Sequence, residues 1–176
     1  MRFITLFILI SIFSLNVNAD PYMLTIEKKI LQTQIDKSMP IEKSNFIGKA
    51  LIDNPKLELN GQLNKIEFWV NFDALILKKI NAVGVSKISA NLFYNHQEGA
   101  FYLHDPIVEA LNIKKVKDKH IPIYKKLLQV ILKSSFKKHP IYVFDEQDFH
   151  QKFAKASLKS VAIVDDALVV VMDLGL

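Results

Sequence analysis

The run IPIYKKLLQVILKSSFKKHPIYVF, residues 121–144, decides how this chain folds. Within it Tyr124, Leu127, Leu128, Ile131, Leu132 and Phe136 recur at intervals of three, one, three, one and four residues, the period of a helix with one broad apolar face. The spacing predicts a basic amphipathic helix over 121–139 that breaks at Pro140 and hands over to a strand at 141–144. A helix of this kind draws its stability from packing that face against something else, so the rest of the chain is read for what could cover it.

Upstream lies the covering surface. Ile66, Phe68, Val70, Phe72, Ala74 and Ile76 alternate with Glu67, Trp69, Asn71, Asp73 and Leu75, the period of a long strand with one buried face. A second strand over 83–95 places Ile88, Ala90, Leu92 and Tyr94 on one face. NHQEG (95–99) supplies the turn into a returning strand that starts at 100–103. Asp105-Pro106 is expected to bend or bulge that strand before it runs on to residue 113. Two further strands are predicted at 46–52 and 57–63, separated by a turn at Asp53-Asn54-Pro55.

Shorter elements flank this block. Between residues 22 and 40 an extended start leads into a helix of about three turns with Ile26, Ile30, Leu31 and Ile35 as its apolar set. Downstream, 145–158 reads as a helix opened by acidic cap residues and carrying Phe149 and Phe153 one turn apart. A hairpin closes the chain, 161–164 and 167–174 joined at Asp165-Asp166. Strands gathered in the middle with helices before and after them predict an α+β fold with a mostly antiparallel sheet, not an alternating βαβ arrangement. The long helix of the C-terminal half is the element available to cover the sheet's apolar face.

The first nineteen residues stand apart. Arg2, an apolar run over 3–15 and Val17-Asn18-Ala19 have the order of a secretory signal peptide, which sets a single domain at 20–176. Without that segment 22 basic residues face 18 acidic ones, a formal net charge of +4 and no signature of nucleic-acid binding. Cysteine is absent, which excludes disulfides, thiolate metal sites, a cysteine nucleophile and lipidation at the cleavage site. The expected location is therefore the periplasm, as a protein without a lipid anchor.

No catalytic constellation is legible. His96, His104, His120, His139 and His150 lack the spacing of a local metal site, and His104-Asp105 are neighbours on a strand, where adjacent residues face apart. The paired acids at 145–148 and 165–166 are accounted for by a helix start and a turn. The glycines are too scattered for a phosphate loop, and no nucleophile-elbow motif occurs. The reading is a non-enzymatic protein without cofactor or metal.

Charge is more informative. Residues 114–138 hold nine lysines and one acid, Asp118, so the remainder of the exported chain is net negative. Lys125, Lys126, Lys133 and Lys137 form a basic surface suited to an anionic membrane or to an envelope protein, or serve as a solvated face. Trp69 falls on the less buried side of its strand, where it lines a second groove or packs under a loop.

YMLTI (22–26) leading into EKKI (27–30), LELNG (57–61), EGAFYL (98–103), the long helix ending in HPIYVF (139–144), and KFAKASL (152–158) before a Val-rich strand form a series of short motifs. In this order they resemble the YceB-like family of proteobacterial envelope proteins, most of which are lipoproteins. The resemblance implies a strongly curved antiparallel sheet wrapped around the long helix, similar to one half of a bactericidal/permeability-increasing-type lipid-binding domain. It also implies a lipid or other apolar ligand and supplies no catalytic residue. The chain departs from most of that family in lacking the lipidated cysteine. The residues expected to line such a site are Leu127, Leu128, Ile131, Leu132 and Phe136 on the helix with Phe68, Val70, Phe72 and Leu92 on strands. The alternative is a filled core and an interaction or scaffold role, and the volume between helix and sheet separates the two.

Overall fold

In the computed structural model, residues 22–77, 79–114 and 116–173 are described. The signal-peptide segment, Lys115 of the basic run and the end of the chain lie outside them. The order is β1 (Met23–Glu27), α1 (Lys28–Lys37), β2 (Ile41–Ser44), β3 (Gly48–Asn60), β4 (Lys65–Ile76), β5 (Ile80–Asn95) and β6 (Ala100–Ile113). A short 3-10 turn (Asp118–His120) leads into α2 (Ile121–Phe136), followed by β7 (Tyr142–Val143), α3 (Phe149–Ser157), β8 (Leu158–Val164) and β9 (Ala167–Met172). This is the α+β fold with curved antiparallel sheets.

Six strands form the main sheet in the order β2-β3-β4-β5-β6-β7, and every pairing is antiparallel. The alternation read in β4 is observed: Ile66, Phe68, Val70, Phe72, Ala74 and Ile76 are all buried, while Asn71 and Asp73 on the other side are exposed. Helix α2 lies in the hollow of this sheet. It touches β6 near one edge and β2 and β3 at the other, a set of neighbours that a flat sheet could not offer one helix. The sheet curls around α2 without closing, since β2 and β7 remain edge strands.

Two proline bulges interrupt the ladders. Opposite Trp69 to Asn71, strand β3 spends one extra residue at Asn54-Pro55, with Asn54 in the left-handed region at φ 50. Opposite Ser89 to Asn91, β6 does the same at Asp105-Pro106, with Asp105 at φ 47. A bulge bends its strand and leaves backbone groups unpaired, and in both places a glutamine from a helix takes them up. Gln32 of α1 donates to the Pro55 carbonyl and accepts from the Leu57 amide, both at 2.8 Å. Gln129 of α2 donates to the Pro106 carbonyl and accepts from the Val108 amide at 3.1 Å. Each helix is thereby fixed to the sheet at a bulge by the same pair of bonds.

The second sheet, β1-β9-β8, is small. Its β8–β9 turn, Asp165 and Asp166 at φ 43 and 63, has the two positive dihedrals of a tight hairpin turn. The Asp166 carboxylate pairs with Lys28 at 2.9 Å, and Asn64 Oδ1 in the β3–β4 turn accepts from the Ile163 amide at 3.1 Å. The small sheet is thus held against the start of α1 and one end of the large one. Helix α3 is capped by Asp148, whose carboxylate accepts from the Gln151 amide at 3.0 Å.

Four expectations are corrected. Residues 46–52 and 57–63 are not two strands around a turn: Asp53-Asn54-Pro55 is a bulge inside one strand, because α1 supplies the bonds that a turn would otherwise have made internally. Helix α2 ends at Phe136, three residues before His139, where the chain loosens ahead of Pro140. Helix α3 begins at Phe149, with 145–148 forming its cap, and Phe149 is exposed. Ile30, read as part of the inner face of α1, is 43% exposed, whereas Leu31 and Ile35 carry that contact.

The glutamine clamps give the first prediction. Gln32→Leu and Gln129→Leu each leave a bulge amide and carbonyl buried without partners, which costs about 1–3 kcal/mol. Urea unfolding measures the loss, and an unchanged midpoint in both variants contradicts the role assigned to them.

Candidate functional site

The space between α2 and the sheet is where the sequence places a ligand. Leu127, Leu128, Ile131, Leu132 and Phe136 all face inward and are buried, as are Phe68, Val70 and Phe72 across from them. Leu92 is partly buried at the margin of the same core. The nine side chains therefore do come together. Phe68 and Phe136 meet ring to ring with centroids 5.4 Å apart. Gly84 lets Phe72 lie against the β5 backbone, where an added Cβ would stand 2.8 Å from its ring.

Polar contacts seat the helix along its length. The Tyr124 hydroxyl donates to the Ile80 carbonyl at 2.9 Å, and burial pushes its pKa up, so it remains a donor. One turn further on, Gln129 holds the β6 bulge. A small recess of about 20 Å³ lies at the C-terminal end of α2, bordered by Ile35, Ile41, Leu103, Ser135, Phe136 and Ile141. Of the nine expected lining residues only Phe136 borders it. Leu127, Leu132 and Phe68 expose no surface, and Leu128, Val70, Ile131 and Phe72 expose at most 2%, which leaves no water-sized space against them. A ligand site of ordinary size begins at about 300 Å³, so the seam in this state is a packed core.

Opposite that face, Lys125, Lys126, Lys133 and Lys137 are exposed together with Val130. Among the described residues none of the four forms an ion pair. Lys137 also borders a shallow recess of about 260 Å³ with Phe93, Tyr102 and His104.

The outer face of the sheet holds a cluster that periodicity did not reveal. Lys87 on β5 reaches Glu67 on β4 at 2.8 Å and Glu58 on β3 at 4.0 Å, while Ser89 donates to Glu109 at 2.5 Å. Its hydrogen bond to Glu67 raises the pKa of Lys87 against an opposing desolvation. Trp69 is half-buried beside it, in register between Lys56 and Lys87. Alternation alone could mark these residues as outward; only the cross-strand register puts a lysine between two glutamates.

His104 and Asp105 require a correction. They were expected to face apart, yet His104 Nδ1 lies 2.8 Å from Asp105 Oδ2, because the bulge at Asp105 breaks the alternation. Both are about half exposed, and no group of three or more His, Asp or Glu able to hold a metal occurs among the described residues. Gln129 was missed altogether. The signal that could have found it is a proline in the facing strand, which predicts unpaired backbone groups in need of a donor and an acceptor. No helix among the described residues is long and apolar enough to cross a membrane.

A family model described as a protein of unknown function, DUF1439, matches residues 26–166. The chain belongs to that family, and the match takes in every described element from the end of β1 to the β8–β9 turn. No curated protein matches the sequence.

The two faces of α2 predict opposite mutational behaviour. Leu128→Ala opens a cavity in a packed core and costs about 2–5 kcal/mol, whereas Lys133→Glu stays within about 0.5 kcal/mol of the parent. Chemical denaturation of the two variants checks the contrast.

Proposed function

We propose that this chain is a non-enzymatic interaction module of the cell envelope, exported to the periplasm, with a filled core and a binding surface on its exterior. The observation that carries this reading is the packing beneath α2, where Leu127, Leu132 and Phe68 expose no surface, set against four exposed lysines on its other side that form no ion pair among the described residues. A protein partner with an acidic surface fits that face: charge complementarity speeds encounter, and Val130 and the lysine stems supply apolar area. The signal-like pattern of residues 1–19, the absence of cysteine and the likeness to the YceB-like envelope proteins support the location.

A second reading has its own observation. The sheet curls around a single helix whose inner face is mostly apolar, Ser135 and the Tyr124 hydroxyl aside, the arrangement that the likeness to bactericidal/permeability-increasing-type domains implies for a lipid carrier. In this reading α2 is a plug: a lipid or other apolar molecule takes its place against Phe68, Val70 and Phe72, and α2 swings aside. The exchange is driven by burial at about 25 cal/mol per Å² of apolar area. It also has to break the Tyr124–Ile80 bond and the Gln129 clamp.

Two measurements separate the readings. For the interaction module, pull-down from envelope extract recovers one stoichiometric protein partner, and Lys125, Lys126, Lys133 and Lys137 changed together to Glu abolish the recovery without loss of fold. For the carrier, native mass spectrometry after lipid exposure shows a retained, exchangeable ligand. A retained lipid together with an intact pull-down by the charge-reversed chain overturns the first reading.

A further inference from the structure

One end of the curved sheet carries two apolar tips side by side. The β2–β3 connection presents Phe46, which is 91% exposed, and the β4–β5 hairpin presents Leu77, 61% exposed. The Leu77 amide donates to the Ile47 carbonyl at 3.3 Å, which ties the tips together. With Ile47 and Leu75 they form an open apolar recess of about 610 Å³.

The exposure is built into the backbone. Asn45 Oδ1 accepts from the Ile47 amide at 2.8 Å and the Gly48 amide at 3.3 Å, while the Asn45 amide bonds the Gly48 carbonyl at 2.8 Å. That closed loop leaves Phe46 at its apex with nowhere to fold back. Leu77 sits in the left-handed region at φ 50, a conformation that a leucine rarely adopts and that turns it outward.

The surrounding charge has one prevailing sign. Lys43, Lys49 and Lys79 flank the tips and are exposed. Lys114, Lys117 and Lys119 come to the same end, since β6 finishes opposite Gly84 and the second turn of α2 touches Ile80, the strand partner of Ile76. Glu42, Asp53, Asp73 and Asp118 are the acids nearby, so the lysines outnumber them six to four. Among the described residues none of the six lysines forms an ion pair. Phe149, the next most exposed aromatic among the described residues, offers no equivalent, because Asp145, Glu146 and Asp148 precede it.

We infer that this rim docks on an anionic lipid bilayer, with Phe46 and Leu77 entering the acyl boundary and the lysines resting on head-group phosphates. An apolar projection ringed by lysine is the chemistry of an interfacial anchor, in which burial and electrostatic attraction add. The rim shares none of its residues with the four lysines of the outer face of α2. The inference stands whether or not the α2 face has a partner.

The absence of cysteine makes the test site-specific. Phe46→Cys, Leu77→Cys and, at the far end of the sheet, Leu63→Cys in the full-length chain each accept one environment-sensitive fluorophore. Addition of phosphatidylglycerol vesicles shifts the emission of labels at 46 and 77 to the blue and leaves the label at 63 unchanged. Pure phosphatidylcholine vesicles give little shift. Lys49→Gln with Lys79→Gln weakens the response by about 30-fold, the loss of two surface lysines, with circular dichroism showing the fold retained. An equal shift at 63, no shift at 46 and 77, or a shift that appears with protein concentration in the absence of vesicles overturns the inference. The last two outcomes point instead to a protein partner and to a second copy of this chain.

Discussion

The sheet bends where proline interrupts its ladders, and it stays bent because a helix glutamine satisfies what each proline bulge leaves unpaired. Gln32 and Gln129 make the same two bonds, to a proline carbonyl and to the amide two residues later. Without them each bulge would bury a donor and an acceptor unmet, a cost comparable to that of a core substitution. With them, curvature and helix position become one constraint. The strands can wrap α2 only in the register that brings Pro106 to Gln129, and α1 can close over β3 only where Pro55 meets Gln32.

Once that constraint is met, the apolar faces complete each other. Six side chains of α2 and the inner row of β4 leave almost no space, and each fully buried residue contributes about 1.5–3 kcal/mol relative to exposure. The small residues Ala82, Gly84 and Ser86 on β5 are the counterpart of this filling, giving room to Phe72 and the neighbouring helix. A core so completed leaves the chain's charged groups on its outside. There, lysines dominate the outer face of α2 and the Phe46–Leu77 rim.

Much of the fold was legible because it depends on local periodicity. The alternation from Ile66 to Ile76 and the spacing from Tyr124 to Phe136 each specify an element and its buried side, and NHQEG and Asp165-Asp166 each specify a hairpin. The candidate lining residues were legible for the same reason: they are the apolar members of those patterns. Failures fell where a distant segment overrode a local signal. Asp53-Asn54-Pro55 carries turn chemistry, yet α1 turns it into a bulge within a continuous strand. His104 and Asp105 should diverge by alternation, yet the bulge at Asp105 brings them together. Gln129 looks like an ordinary polar interruption of a helix until Pro106 is seen beneath it.

By itself, then, the sequence determined the buried faces of β4 and α2, the α+β class and the antiparallel hairpins, since hydrophobic period and turn chemistry act over a few residues. It left open whether the interior is hollow or full. That was decided only by tertiary structure, because void volume depends on how tightly a sheet curls around a helix. The curl in turn depends on bonds between residues 23 and 25 positions apart in one case and 21 and 23 in the other. The meeting of Phe46 and Leu77 at one rim is likewise a product of strand register, which no single stretch of the chain encodes.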